Sequence, residues 1–530
     1  MIFDSVISYS ISTCLTSCLA KARQGGLDII ASTIQRIVDN IDAPMQLAII
    51  GKVSSSKSTL VNAILGKEDV VGTGQMEETF NVSWLKYGPS DSDIKVQFKD
   101  GTYRYVPRKD WKLWSGQEQN TLKDKVKYLE VTYDHEILKN INIIDTPGLD
   151  SAKGTDSRNT IDFLTEVRPD AIIVVFTKGL AQSTMDVVKE FQSSRINSFS
   201  ISPLNAVGLL SKTDYFWKVS ERNIRPNLKA KEVINGNIFA LFPEVKQSLY
   251  TILPICSMLG LVSKTMEESD IELFKKLAKT SDSDLHEMLH SVSDFTDDYF
   301  STELSVSERK YLHQKFGLYG IYEAIQLSRV QDITKSSLKD LYGVVSGYKE
   351  FENILYSHFG QRSFLIKTQS ASHMISSSCD CQRTVSKTND SLRSIDEIQE
   401  EVLTCLMSIF EYKQLNFLSK IYDNCMNITD NAAIEEYKRV CGEYGTSVIE
   451  KLNLQGKPSY EELESISCKR CRDWNAKYQM SYYKSKDTAE LYHMISDSYD
   501  ILTKDIKKLK QEEKEARRII KMAEEFFYGK

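Results

Sequence analysis

At 530 residues, the chain is too long to bury itself around one core, so at least two structural units are expected. Its 67 Lys and Arg stand against 73 Asp and Glu, with no long single-sign block, which argues against a nucleic-acid binder with its basic face. No run approaches the ~20 consecutive apolar residues that a membrane-spanning helix needs, and ten cysteines in so long a chain form no dense disulfide framework, as fits a reducing cytosol.

The N-terminal stretch MIFDSVISYSISTCLTSCLA is apolar enough to be weighed as an export signal. Asp4 and the lack of an early Lys or Arg argue against that, and the spacing of Ile7, Ile11, Cys14, Leu15 and Cys18 predicts a helix. From residue 45 to about 265, short apolar runs alternate with helical segments. MQLAII precedes GKVSSSKST, and LVNAILG reads as a helix stopped by Gly66. IKVQFKDGTYRYV alternates and turns at Asp100-Gly101, a hairpin signature. INIID, DAIIVVFT, AVGLLS and TILPICS read as parallel strands covered on both faces. Together they predict a three-layer α/β P-loop domain with a mostly parallel sheet.

GKVSSSKST, residues 51–59, fits the phosphate-binding pattern GxxxxGK[ST] except at one place. Gly51, Lys57 and Ser58 match, while Ser56 stands where the second glycine belongs. Ser54, Ser55, Ser56 and Thr59 are further candidate nucleotide contacts, although serine is equally a turn or cap residue. Such a loop surrounds phosphate with backbone N–H groups and adds a lysine and a hydroxyl behind them. Next comes GQMEETFNVSW, where the hydroxyl and carbonyl of Thr79, with Thr73 nearby as the alternative, are candidates to meet a magnesium ion. INIIDTPG sets Asp145 at a strand end, able to hold Mg²⁺ through water, and Gly148 where its N–H can sense the terminal phosphate. AVGLLSKTD ends another strand in Lys212 and Asp214. A carboxylate there accepts two N–H bonds from guanine, which adenine does not supply, and the lysine stem lies along the base. LPICSM brings Cys256 and Ser257 to the place where backbone groups close over the base.

This ordered set resembles the dynamin-like GTPases, particularly the bacterial members, through GKVSSSKST, MEETFNVSWLKYG, DTPGLDS, SKTD and LPICSMLG. ERKYLHQKFGLYGIYEA and VSGYKEFENILYSHFGQRSFLIK are similar to the family segments that lead into its helical stalk. The resemblance implies GTP and GDP binding, Mg²⁺-dependent hydrolysis and self-association through the GTPase domain. It also implies a cytoplasmic protein, peripheral on the inner face of a membrane that it remodels, or a partner that is a second dynamin-like protein. Two departures bear on turnover. Ser56 replaces a glycine of the phosphate loop, and Val53 stands where eukaryotic dynamins carry a polar residue that orients the attacking water; valine neither donates nor accepts that bond. The alternative they leave open is a slow or non-hydrolysing GTP-gated switch acting on a protein partner.

Beyond residue 265 helical periodicity takes over. Ile395, Ile398, Val402, Cys405, Ile409 and Tyr412 are spaced by three and four, and Ile495 to Phe527 keep a heptad register, so long amphipathic helices are expected. NLQGKPSY at 453–460 is the expected hairpin tip, between helices of about 50 residues. The division expected is an N-terminal helical segment at 1–44 packing with the C-terminal helix, the GTPase domain at 45–265, a helical connection at 266–370 and an extended helical stalk at 371–530. Three motifs receive blander readings. HEMLH at 286–290 matches a zinc motif but lacks a third ligand nearby. Cys379, Cys381, Cys468 and Cys471 read as scattered helix cysteines, and KKLKQEEKEARR as a solvated helix face.

Overall fold

Nine strands form one sheet in the computed structural model: β1 (Met45–Gly51), β2 (Val82–Tyr87), β3 (Ile94–Phe98), β4 (Tyr103–Val106), β5 (Val126–Tyr133), β6 (Ile141–Asp145), β7 (Ala171–Thr177), β8 (Ala206–Ser211) and β9 (Thr251–Pro254). The structure describes residues 2–52, 54–68, 70, 81–115, 125–147, 169–177, 203–222, 224–241, 248–300, 302–386, 388–422, 426–445 and 447–528. Strand order is β4-β3-β5-β2-β6-β1-β7-β8-β9. The block from β6 to β9 is parallel throughout. β2 runs antiparallel to β6, and β3 antiparallel to both β4 and β5.

The apolar runs explain this layout. INIID and AVGLLS are buried at every position, as strands covered on both faces must be, whereas the first three residues of the edge strand β4 are exposed. The hairpin at Asp100-Gly101 forms as the sequence predicts, with Gly101 at φ 87°. β2 and β5 are additions to the predicted strands. VSWLKY overlaps the stretch read as a loop around Thr79, and VKYLEVTY shows only partial alternation, so neither carries a strong strand signature.

Strand β1 sits where the chain changes direction across the sheet. Its neighbours are β6, reached after the chain has built one side, and β7, from which β8 and β9 extend the other side. In open α/β sheets the crevice at such a switch point, beyond the carboxyl ends of the strands, is where ligands bind. The ends of β1, β6, β8 and β9 carry the four motifs singled out above.

The helices used below are α1 (Asp28–Asn40), α2 (Lys57–Leu65), α3 (Ser257–Thr265), α4 (Glu268–Leu277), α5 (Val306–Val330), α6 (Lys335–Val345), α7 (Ser363–Val385), α8 (Phe410–Tyr422), α9 (Asn431–Val440), α10 (Tyr460–Gln479) and α11 (Lys486–Tyr528). By compactness the chain divides into two units, Ser12–Glu400 and a second made of Met1–Ile11 with Glu401–Lys530. In the first, α2 packs on β1, β6 and α3, while α1 packs on α7. A helical core around Leu259, Phe274, Phe316 and Tyr342 joins α3, α4, α5 and α6. In the second unit, α10 and α11 pack along each other, and the Ser467 Oγ lies 2.8 Å from Thr503 Oγ1. The turn of this pair is at 480–485. Residues 453–460, the expected tip, instead join the four-residue helix Val448–Lys451 to α10, where Ser459 and Glu462 form a capping box. At 43 residues α11 is close to the expected length.

Candidate nucleotide site

The phosphate loop begins where β1 ends. A Cβ on Gly51 would stand 2.1 Å from the Val175 carbonyl oxygen on β7, so only glycine passes this point. Ser54 at φ 59° and Ser56 at φ 71° are both left-handed. Among the described residues, non-glycine positive φ occurs at four positions, and three of them, Ser54, Ser56 and Lys212, lie in the motif loops. Such clustering is characteristic of functional sites. Ser56 thus adopts the geometry the missing glycine would take freely, at about 1–2 kcal/mol for a residue with a Cβ. It is the residue preceding α2 and its side chain makes no capping bond. The loop is tied to β8 by Ser211, whose Oγ lies 2.8 Å from the Ser55 carbonyl.

Lys57 is buried, and its Nζ donates to the carbonyls of Gly51 at 3.0 Å and Lys52 at 2.9 Å. Burial holds its pKa down to about 8, against the opposing pull of Asp145. Asp145, at the end of β6, is fully buried, and burial pushes its carboxyl up to about 6 although Lys57 and Ser58 favour the anion. Ser58 Oγ lies 3.4 Å from Asp145 Oδ2, while Asp145 Oδ1 and Ser55 Oγ have no hydrogen-bond partner among the described residues. An oxygen-only pair with an unsatisfied buried carboxylate oxygen fits a hard divalent cation such as Mg²⁺. Thr146, which the motif reading passed over, donates from Oγ1 to the Ile49 carbonyl at 2.8 Å and pins the end of β6 to β1. Thr73, Thr79, Gly148 and Val53 lie outside the described residues.

The residues expected to meet the base stand on other elements. Lys212 is left-handed, at φ 57°, and its ammonium stands 5.6 Å from the Tyr215 ring. Asp214 is half-buried, and burial raises its pKa. Its Oδ1 accepts from the Cys256 thiol at 3.3 Å. That thiol is in turn pushed up by burial and by the neighbouring carboxylate, so it stays a protonated donor. The backbone N–H of Cys256, expected to face the base, donates instead to the Ser346 carbonyl at 2.8 Å. Cys256 therefore faces Asp214 through its side chain, a role its sequence reading did not foresee. Ser257 opens α3 with its hydroxyl buried and unpartnered among the described residues. A cavity of about 800 Å³ runs from Ser56 and Thr59 past Lys212, Asp214, Cys256 and Ser257. Its volume falls within the range of small-molecule sites.

Of the other motifs, HEMLH does not make a zinc site. The helix Asp282–Met288 ends before His290, both histidines are exposed, and His290 Nδ1 stands 3.7 Å from Asp294. Cys379, Cys381, Cys468 and Cys471 are free thiols. No helix among the described residues is long and apolar enough to cross a membrane.

A family model described as Dynamin family matches residues 47–195. Isoniazid-induced protein IniC of Mycobacterium tuberculosis is 24% identical over 435 residues, covering 81% of this chain and 84% of that protein. Dynamin-like protein 2 of Campylobacter jejuni is 30% identical over 156 residues, which is 29% of this chain and 25% of that protein. A solved chain from an oligomerised bacterial dynamin pair is 14% identical and covers 92% of this chain and 89% of its own length, with a TM-score of 0.29.

Proposed function

We propose, because this chain belongs to the bacterial dynamin-like GTPase family, that it binds GTP at the carboxyl edge of its sheet and hydrolyses it with Mg²⁺. Lys57 offsets the charge of the β- and γ-phosphates, with the loop N–H groups from Gly51 to Thr59 around them. Ser58, Thr79 and Asp145 are the residues that would hold Mg²⁺, whose charge would further neutralise the triphosphate. The Gly148 N–H meets the terminal phosphate, and its release on hydrolysis frees the loop that follows. Asp214 reads guanine, with Lys212 along the base and Ser257 closing over it, while Cys256, its N–H taken by Ser346, bears on Asp214 through its thiol. The observation that carries this reading is the buried Asp145 carboxylate, half unsatisfied beside Ser58 and Lys57 at the switch point of the sheet. Turnover of GTP with and without Mg²⁺ tests it. Loss of Mg²⁺ dependence, or equal use of ATP, would sink it.

A slower cycle, or a GTP-gated switch that acts on a protein partner, has its own support in the left-handed Ser56 and the apolar Val53. Measuring turnover against protein concentration separates the two. Hydrolysis by self-association through the GTPase domain climbs with concentration, whereas a switch stays slow. The four-part division at 44/45, 265/266 and 370/371 is retained as a proposal for how nucleotide state reaches the helical region.

For membrane remodelling the supporting feature is the turn between α10 and α11. Met480 is 81% exposed and Tyr483 is 94% exposed, with Lys484 and Lys486 exposed beside them. An apolar and an aromatic tip flanked by lysines suits the interface of an anionic bilayer better than the turn at 453–460, which offers one lysine and one aromatic. Co-sedimentation with phosphatidylserine vesicles checks this: the double variant Met480→Ser, Tyr483→Ser should stay in the supernatant while the native chain pellets. If both stay behind, a protein partner such as a second dynamin-like chain becomes the target.

A further inference from the structure

The base side of the site rests on a helix that no nucleotide motif points to. α5 is two helical stretches joined at Gly317, whose φ 62°, ψ 169° lies in a region essentially reserved for glycine. A Cβ built there would be 2.9 Å from Met258 Cε and 4.0 Å from Asp214 Oδ2. The break in the helix therefore stands directly against the carboxylate that reads the base and against the methionine that follows Cys256 and Ser257.

Two further contacts fasten the same loop to the same helix. Trp217, whose N–H donates to the Asp214 carbonyl at 3.1 Å, has its ring centroid 5.9 Å from that of Tyr319 and 5.2 Å from that of Tyr322, two residues one turn apart on the same face of α5. Gln314 and Lys315, in the turn before the break, line the same cavity as Lys212 and Asp214. Lys315 is itself held by Asp270 at 2.8 Å and by Tyr311 at 2.9 Å, so this wall has fixed side chains. The Asp214 carboxyl thus has the Cys256 thiol at one oxygen and the Gly317–Met258 wall beside the other.

We propose that the break in α5 at Gly317, with Met258, forms the outer wall of the base pocket and acts as a positioning element for Asp214. Discrimination for guanine is then set by the bend of this helix and not only by the SKTD loop. The inference rests on the reading that Asp214 binds guanine. Asp214 can pair with the exocyclic amine of guanine, which hypoxanthine lacks, so a misplaced wall costs GDP more than it costs IDP, while phosphates and ribose contribute equally to both.

The experiment is calorimetric titration of the full chain with GDP and with IDP, for the native protein, Gly317→Ala and Met258→Ala. The added Cβ of Gly317→Ala has to displace Met258 and adopt a backbone angle foreign to alanine, whereas Met258→Ala opens the wall without altering the backbone. Each variant is expected to lower the ratio of GDP to IDP affinity by about fivefold. Should Gly317→Ala fail to fold, Met258→Ala carries the same measurement. An unchanged ratio in a folded variant, or an equal loss for both nucleotides, overturns the inference. A native chain that binds GDP no better than IDP or ADP removes the guanine reading itself, an outcome separate from failure of the wall.

Discussion

The two halves of the candidate site are made in different ways. The phosphate half is local in sequence: Gly51, Ser54, Ser56, Lys57 and Ser58 lie in eight residues, and among the described residues Asp145, Thr146 and Ser211 join them from elsewhere. Lys57 lies on the loop carbonyls and Ser58 near Asp145, while Asp145 Oδ1 and Ser55 Oγ have no partner among the described residues. The base half gathers the end of β8, the cap of α3, the end of α6 and the break in α5. Its pieces come from residues 212 to 346, so its shape follows from how those helices pack. A motif-sized loop can carry phosphate chemistry alone, while a base pocket needs walls that no single loop supplies.

This contrast can be broken at its strong end first. Lys57→Ala removes the buried cation of the phosphate half, and GTP turnover is expected to fall about 100-fold or more, read by phosphate release. Normal hydrolysis in that variant would end the assignment of this half.

The anchor of the base half gives the next effect. At the opposite ends of β8 and β9 from the site, His358 Nε2 lies 2.6 Å from the Leu204 carbonyl and its ring stacks on Tyr250 with centroids 4.1 Å apart. Burial pushes this histidine down to about 3, with the Arg362 charge acting in the same direction. With a folded pKa below the unfolded one, the unfolded chain binds more protons between these values. The stability this group contributes is complete above about 6.5 and is lost as pH falls towards 3. Between pH 7 and 5 the native chain should therefore lose about 2 kcal/mol more than His358→Gln in urea unfolding. Equal acid slopes would show that the ring is not held neutral.

Ser56→Gly tests whether the phosphate half stores strain. Releasing the left-handed serine should raise stability by about 1 kcal/mol, part of it offset by the freer unfolded chain, and turnover should rise with it. If the melting temperature and the rate both stay put, the loop geometry is not what limits the cycle. The smallest effect belongs to the thiol. Cys256→Ala leaves Asp214 Oδ1 without its donor and should weaken GDP binding about threefold, while Cys256→Ser restores it. Loss in both variants alike would point to packing in place of the hydrogen bond.

Much of the site was legible because it obeys local rules. Gly51 and Gly66 stand where backbone geometry demands them, the hairpin glycine Gly101 does so too, and the all-apolar strands announce a sheet covered on both faces. The left-handed strain at Ser56 was readable from the missing glycine alone. β2 and β5 were not, because half-buried strands with lysine and glutamate on the open positions look like loop or helix in isolation. The turn at 480–485 was missed for a related reason: MSYYKS contains neither Gly nor Pro, whereas the loop at 453–460 has both and drew the hairpin reading. Gly317 did leave a mark, an isolated glycine inside a helical pattern, but such a residue does not say what it approaches.

By itself the sequence determined which side chains stand at each strand end, since the order of Gly51, Lys57, Asp145 and Asp214 along alternating strands and helices is a property of the chain. Only the tertiary structure decided what surrounds those groups. The Cys256 thiol on Asp214, the orphaned oxygen of Asp145 and the approach of Gly317 all depend on contacts between residues tens to more than a hundred positions apart. Hydrogen-bond direction and steric clearance are set by packing to fractions of an ångström, and residue order carries no such distance.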